Sequence, residues 1–252
     1  MNKISILGCG WLGLPLAKNL IEQGWSVKGS TTKIEKIEIL ENSGINGHLL
    51  NIDNEEELPE SFFQSDVLFL NIPPANPDKM QKVKAAALAN EISWVIVTSS
   101  TGIYPNLNGL VTENDASPNT TSRRGFNLSE LEKIWLDSPL DSTILRFGGL
   151  YGPEREAGRF FQQKKSVPGG NSPVNMIHLE DCMGVINAIL KLQIKNEILN
   201  ACSPNHPPRK EFYAQEAEKL GLPLPDFNES RVPYKIVSNQ RLLEKTGYIF
   251  KH

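Results

Sequence analysis

The chain has 252 residues, of which 39% are apolar and 22% charged. That is enough apolar material for a sizeable core, and it excludes an intrinsically disordered chain. Its 26 basic and 29 acidic residues leave a formal net charge of -3, with no like-charged block longer than Glu55–Glu57, which excludes broad affinity for nucleic acid or an anionic membrane.

No stretch approaches the roughly 20 uninterrupted apolar residues of a membrane span. Cys9, Cys182 and Cys202 are too few and too scattered for a disulfide framework or a zinc site, and they suit a reducing, cytoplasmic setting. The expected partner is a small molecule, with the chain a monomer or homodimer.

Near the N-terminus, Gly8, Gly10, Gly13 and Pro15 interrupt the apolar run from Ile4 to Ala17. A glycine motif explains that run better than a secretory leader does. Lys3–Leu7 reads as a buried strand and Trp11–Gln23 as a helix, with Leu12, Leu16 and Leu20 at helical spacing and Gly24 as its stop. Trp25–Gly29 is a second strand, Lys33–Asn42 a helix, and His48–Ile52 a third strand. Asp66–Ile72 is a fourth strand, closed by Pro73 and Pro74, and Lys79–Asn90 is helical. Ser93–Thr98 is a fifth strand, Ser129–Leu136 lies in a helix, and Ser142–Phe147 is a sixth strand.

Strands that are apolar throughout and alternate with helices predict an α/β, Rossmann-type doubly wound parallel sheet. Beyond residue 152 the texture changes. Nine of the 17 prolines fall in the last 102 residues. The stretch Gly152–Pro173 reads as a mobile loop, and helices are expected at Leu179–Leu192 and Glu211–Leu220.

Gly8-Cys9-Gly10-Trp11-Leu12-Gly13 is G-x-G-x-x-G between a strand and a helix, the context that a dinucleotide-binding loop requires. Gly8 makes the tight turn, Gly10 admits a pyrophosphate to the backbone, and Gly13 lets helix and strand pack closely. The second strand leads into Ser30, Thr31, Thr32 and Lys33 without a carboxylate before Glu35. An NAD site usually carries Asp or Glu here. Hydroxyls and a lysine suit the 2′-phosphate of NADP(H), and they equally suit a solvated helix cap.

Three further segments resemble the extended short-chain dehydrogenases/reductases. They are Thr98-Ser99-Ser100-Thr101-Gly102-Ile103-Tyr104, Leu145-Arg146-Phe147-Gly148-Gly149-Leu150-Tyr151-Gly152-Pro153, and Met176-Ile177-His178-Leu179-Glu180-Asp181. With the glycine motif, the chain looks like an atypical NAD(P)-dependent epimerase/dehydratase-like member. The resemblance implies a cofactor-binding domain over 1–152 and a small substrate lobe over 153–252, of which about 174–200 returns to the core. It also implies cofactor contacts at Asn51, Ile52, Asn71, Ile72, Pro73, Thr98 and Ser99.

The family's chemistry uses a Tyr-x-x-x-Lys pair, a glutamate four residues after the lysine, and an upstream Ser or Thr. Ser100 matches the last, four residues before Tyr104. Anchoring on Glu130 puts Ser122 in the tyrosine place and Phe126 in the lysine place, and neither can exchange the proton. The remaining candidates are Arg123 and Arg124, as anion holders or a solvated helix start, and Tyr104, as an acid or part of a turn. His178 and Asp181 read either as an acid–base dyad or as the start of a helix. Two functions follow: an NADP(H)-dependent oxidoreductase, epimerase or dehydratase on a small polar, sugar-nucleotide-like substrate, or a dinucleotide sensor that has lost the chemistry.

Overall fold

Residues 2–54, 57–74, 76–116, 123–164 and 166–252 are described in the computed structural model of the protein. The chain runs from β1 (Lys3–Leu7) through α1 (Gly13–Glu22) to β2 (Ser26–Thr31). A 3-10 turn at Ile34–Lys36 and the short α2 (Ile37–Glu41) lead to β3 (Asn46–Leu49). There follow α3 (Glu60–Phe63), β4 (Val67–Leu70), α4 (Pro77–Ala89), β5 (Trp94–Ser100) and β6 (Gly109–Val111). Next come α5 (Arg123–Leu136), β7 (Asp141–Phe147), β8 (Gly149–Tyr151) and β9 (Met176–His178). The chain closes with α6 (Leu179–Leu192), β10 (Ile198–Ala201), α7 (Arg209–Lys219), β11 (Lys235–Val237) and α8 (Gln240–Thr246).

Seven strands form one parallel sheet in the order β10-β7-β5-β4-β1-β2-β3. The order grows outward from β1 in both directions, the doubly wound arrangement that leaves a crevice outside the strand ends. Helices cover both faces. Leu16 and Leu20 of α1 and Val185, Ile186 and Ile189 of α6 pack on one side with Ile4 and Ile6. Met80 and Val83 of α4 and Trp135 of α5 pack on the other with Leu68 and Val95. No described helix is long and apolar enough to cross a membrane.

The seventh strand, β10, is the one the sequence hid. Asn200 interrupts its short apolar run, yet it is fully buried. Its backbone N–H donates to Glu113 Oε1 at 2.9 Å and its side-chain amide to the Ser238 carbonyl at 2.9 Å, so burial leaves no unpaired group. Boundaries shift elsewhere. α1 begins at Gly13, because the residues before it stay in the loop. β2 runs on to Thr31, and β3 ends at Leu49, before Asn51 and Ile52.

The aperiodic stretch after Gly152 carries, among its described residues, a 3-10 turn at Ala157–Arg159. It is fastened rather than loose. Val167 N donates to Asp226 O at 2.8 Å, and Asn228 N donates to Val167 O at 2.9 Å.

Candidate active site

The glycine loop is built by close approach. Gly8 has φ +103, and a Cβ there would lie 2.4 Å from the Asn71 carbonyl oxygen; only glycine fits such a turn. Asn71 Nδ2 donates to Gly8 O at 2.9 Å, and Gly8 N donates to Ser30 Oγ at 2.9 Å. At Gly13 a Cβ would lie 2.2 Å from Gly8 O. Gly10 differs: a Cβ there would meet nothing within 4 Å, so open space lies where a ligand would approach. α1 starts without a side-chain cap and without an acidic residue in its first turn, which leaves N–H groups free to face an anion.

The side chains of Trp11 and Leu12 are not among those that line the cleft beside this loop. Leu12 is buried in the core. The Trp11 indole donates to Pro153 O at 2.6 Å, under the Arg155 guanidinium at 5.6 Å from its ring.

A cleft of about 360 Å³ opens at the C-terminal ends of β1 to β4, with Gly8 and Gly10 in its wall. One side is formed by Ser30, Thr31, Thr32 and Lys33, another by Asn51 and Ile52, and a third by Asn71, Ile72 and Pro73. Two charged lining residues escaped the sequence reading, Lys36 and Asp53. Lys36 ends the 3-10 turn Ile34–Lys36, and its N–H donates to Lys33 O at 3.0 Å. Ser30 is 2% exposed and receives the Gly8 N–H, so part of its hydrogen-bonding capacity goes to shaping the loop. Thr31 Oγ1 accepts from Lys33 N at 3.2 Å. Thr32, Lys33 and Lys36 are exposed.

Thr98 and Ser99 lie outside this cleft, in the wall of a cavity of about 30 Å³ shared with Pro73, Leu128 and Glu132. Ser99 Oγ donates to Glu132 Oε1 at 2.5 Å. Glu132 is 3% exposed and pairs with Arg146, Nη2 to Oε2 at 2.6 Å. Arg146 Nη1 donates to the Tyr104 hydroxyl at 2.8 Å and to Glu113 O at 3.0 Å. Tyr104 in turn donates to Asn200 Oδ1 at 2.6 Å. Burial, opposed by Arg146, pushes the Tyr104 hydroxyl up to about 12. In this network Tyr104 is a buried tie that joins the turn after β5 to β7 and β10.

The same network offers a second anchor on α5. Glu130 is exposed, and the glutamate that the helix buries against the sheet is Glu132. Counting from Glu132 moves the family's tyrosine place to Arg124 and its lysine place to Leu128. Leu128 is 4% exposed, packed with Ile103 and Tyr104. Arg123 and Arg124 open α5, and Ser122 lies outside the described residues. Ser100 Oγ accepts from Gly102 N at 3.1 Å, capping the 3-10 turn Thr101–Ile103. That leaves the hydroxyl proton of Ser100 to donate.

Protein YeeZ of Escherichia coli (strain K12) is 37% identical over 268 aligned positions, covering 100% of this chain and 97% of the relative. The chain belongs to the YeeZ family. No protein-family model matches it. Among solved structures, a functionally unknown conserved protein from Silicibacter pomeroyi resembles this YeeZ-family chain with a TM-score of 0.80 at 23% identity, covering 100% of this chain and 94% of that one. UDP-glucuronic acid 4-epimerase from Bacillus cereus, in complex with NAD, does so with a TM-score of 0.80 at 20% identity, covering 99% and 94%. At such identities the likeness establishes the fold, which is that of the epimerase/dehydratase and short-chain dehydrogenase/reductase proteins.

In this YeeZ-family chain His178 and Asp181 both make contacts that hold the start of α6. His178 Nδ1 accepts from Glu180 N at 3.3 Å as the cap of α6. Asp181 is fully buried and accepts from Tyr248 Oη, Lys251 N and His252 N at 2.8, 2.9 and 3.1 Å.

Proposed function

We propose that the chain holds NADP(H) in the cleft beside the glycine loop. In this reading it acts as an oxidoreductase, epimerase or dehydratase on a small polar substrate of the sugar-nucleotide kind. The observation that carries the reading is the open face of Gly10 beside an uncapped helix N-terminus, in a cleft walled by Thr32, Lys33 and Lys36. The diphosphate would sit on the N–H groups of Gly10, Trp11 and Leu12. The adenosine end would lie toward Asn51 and Ile52, with Asn71, Ile72 and Pro73 along its length. Thr31, Thr32, Lys33 and Lys36 would take the 2′-phosphate. A charge-assisted contact of this kind is worth roughly 1.5–3 kcal/mol, hence on the order of ten- to a hundredfold.

When bound, the dinucleotide supplies a hydride acceptor or donor. Ser100 would donate a hydrogen bond to the substrate oxygen at the end of β5, beside Thr98 and Ser99. Arg123 or Arg124, at the start of α5, would supply positive charge, and residues 153–252 outside α6 and β10 would furnish the substrate lobe. With Leu128 at the lysine place, no side chain there can lower a tyrosine pKa or hold a ribose. Proton exchange would then run through water or the substrate, and turnover would be slow beside ordinary family members.

The buried Leu128 and the fully occupied Tyr104 hydroxyl also favour a second reading, a dinucleotide sensor without chemistry. Competition between NADPH and NADH, followed by a screen of sugar nucleotides and small carbonyl compounds for NADPH oxidation and, with NADP⁺ present, for epimerised or dehydrated product, separates the two. Tighter NADPH binding with turnover supports the enzyme, and tight binding without turnover supports the sensor. Equal or tighter NADH binding removes the 2′-phosphate assignment.

A further inference from the structure

On the far side of Gly152, three side chains with metal-ligand chemistry converge where the segment Tyr248–His252 lies on the start of α6. His178, Glu180 and His252 each offer one ligand atom, and these atoms all lie within 4.8 Å of one another. His252 Nε2 is 3.2 Å from Glu180 Oε2. A tetrahedral centre with metal–ligand bonds near 2.1 Å has edges of roughly 3.4 Å, so this pair is already close to the required spacing. The imidazole rings of His178 and His252 lie 3.9 Å apart, centroid to centroid.

The cluster is held by bonds outside it. The buried Asp181 carboxylate receives Tyr248 Oη, Lys251 N and His252 N, and the His252 carbonyl accepts from Ser203 Oγ at 3.1 Å. The backbone of His252 is therefore fixed without its imidazole. On the other side, the Tyr151 ring sits edge-on to His178 at 5.1 Å. Such preorganisation lowers the ordering cost of binding a ligand.

The local charge suits a cation. Glu180, Asp181 and Glu216 act on the His178 imidazole from α6 and α7, and Lys251 is the cation beside Glu180. Coordination needs the neutral imidazole of His178, with the metal on one ring nitrogen and the proton on the other, so the Glu180 N–H would give up its bond to Nδ1.

We infer that His178, Glu180 and His252 form a binding site for one divalent transition metal ion of the zinc class. Two imidazoles and one carboxylate suit Zn²⁺, Co²⁺ or Ni²⁺ in preference to the oxygen-seeking Mg²⁺ and Ca²⁺. Three protein ligands leave a further position for water. Because the ligands come from the start of α6 and from the segment laid over it, the ion would pin that segment in place. This inference is independent of the nucleotide reading.

The test uses the whole chain without a histidine tag, at neutral pH. Co²⁺ is titrated in while its visible d–d absorption is followed, and Zn²⁺ is then added as competitor. The expected result is one Co²⁺ per chain, displaced by Zn²⁺. His252→Ala, Glu180→Gln and His178→Asn should each weaken binding by roughly tenfold or more. The last keeps a residue that caps a helix well, so metal-free melting temperature and circular dichroism should stay close to the parent. Absence of a stoichiometric Co²⁺ band overturns the inference, and so does parent-like binding by His252→Ala and Glu180→Gln.

Discussion

The two ends of the sheet's crevice treat polar side chains in opposite ways. At the ends of β1 to β4, polar groups line open space: Thr32, Lys33 and Lys36 stand exposed around a cleft, and Gly10 faces nothing. At the ends of β5 and β7, polar groups are consumed by one another. Ser99, Tyr104, Glu132 and Arg146 are linked in one chain of hydrogen bonds. A hydroxyl or a cation at a promising place in the sequence is available for chemistry only if no neighbour has already claimed it. The glycine-loop end passes that test, and much of the end around Ser99 and Tyr104 does not.

The largest expected effect comes from breaking the buried network. Glu132→Ala leaves the Arg146 guanidinium buried without its carboxylate, which should cost about 3–5 kcal/mol of stability, read by denaturant unfolding. A loss below about 1 kcal/mol would show that water reaches the pair. Next comes the loop's close contact. Gly13→Ala forces a methyl against Gly8 O, 2.2 Å from the ideal Cβ position. Overpacking of this kind should cost about 1–3 kcal/mol; a melting temperature equal to the parent's would mean the loop relaxes freely.

A smaller effect sharpens the nucleotide end. Lys36→Ala and Lys33→Ala should each reduce the preference for NADPH over NADH by roughly tenfold, in line with one charged hydrogen bond, while leaving NADH affinity alone. Competitive binding measures this, and an unchanged ratio would place the phosphate elsewhere. A further effect is expected from Tyr104→Phe. It removes both hydrogen bonds of the hydroxyl, from Arg146 and to Asn200, while Arg146 keeps Glu132 and Glu113 O, so stability should fall by about 1–3 kcal/mol. Any turnover found should survive unchanged, and a hundredfold fall in kcat would return Tyr104 to the chemistry.

The fold was legible because its strands are apolar runs and its first turn is a glycine motif. Both signals are local, and both are direct consequences of burial and backbone clearance. β10 was missed because Asn200 breaks its run, and the groups that satisfy Asn200 come from Glu113 and Ser238, far away in sequence. Glu130 and Glu132 are both glutamates on α5, and the sequence does not tell them apart. Only the position of Arg146 across the interface decides which one is buried. Tyr104 read as a candidate acid because its partners, Arg146 and Asn200, are 42 and 96 residues away.

The central claim is that the crevice is open for a dinucleotide at Gly10 and closed by packing at Gly8 and Gly13. A calorimetric titration of NADPH into the parent and into Gly10→Val tests it most directly, with the melting temperature of each protein recorded alongside. The account predicts one binding site in the parent, and a variant that melts at nearly the parent temperature but has lost binding. Parent-like NADPH affinity in a folded Gly10→Val, or no binding to the parent at all, would contradict it.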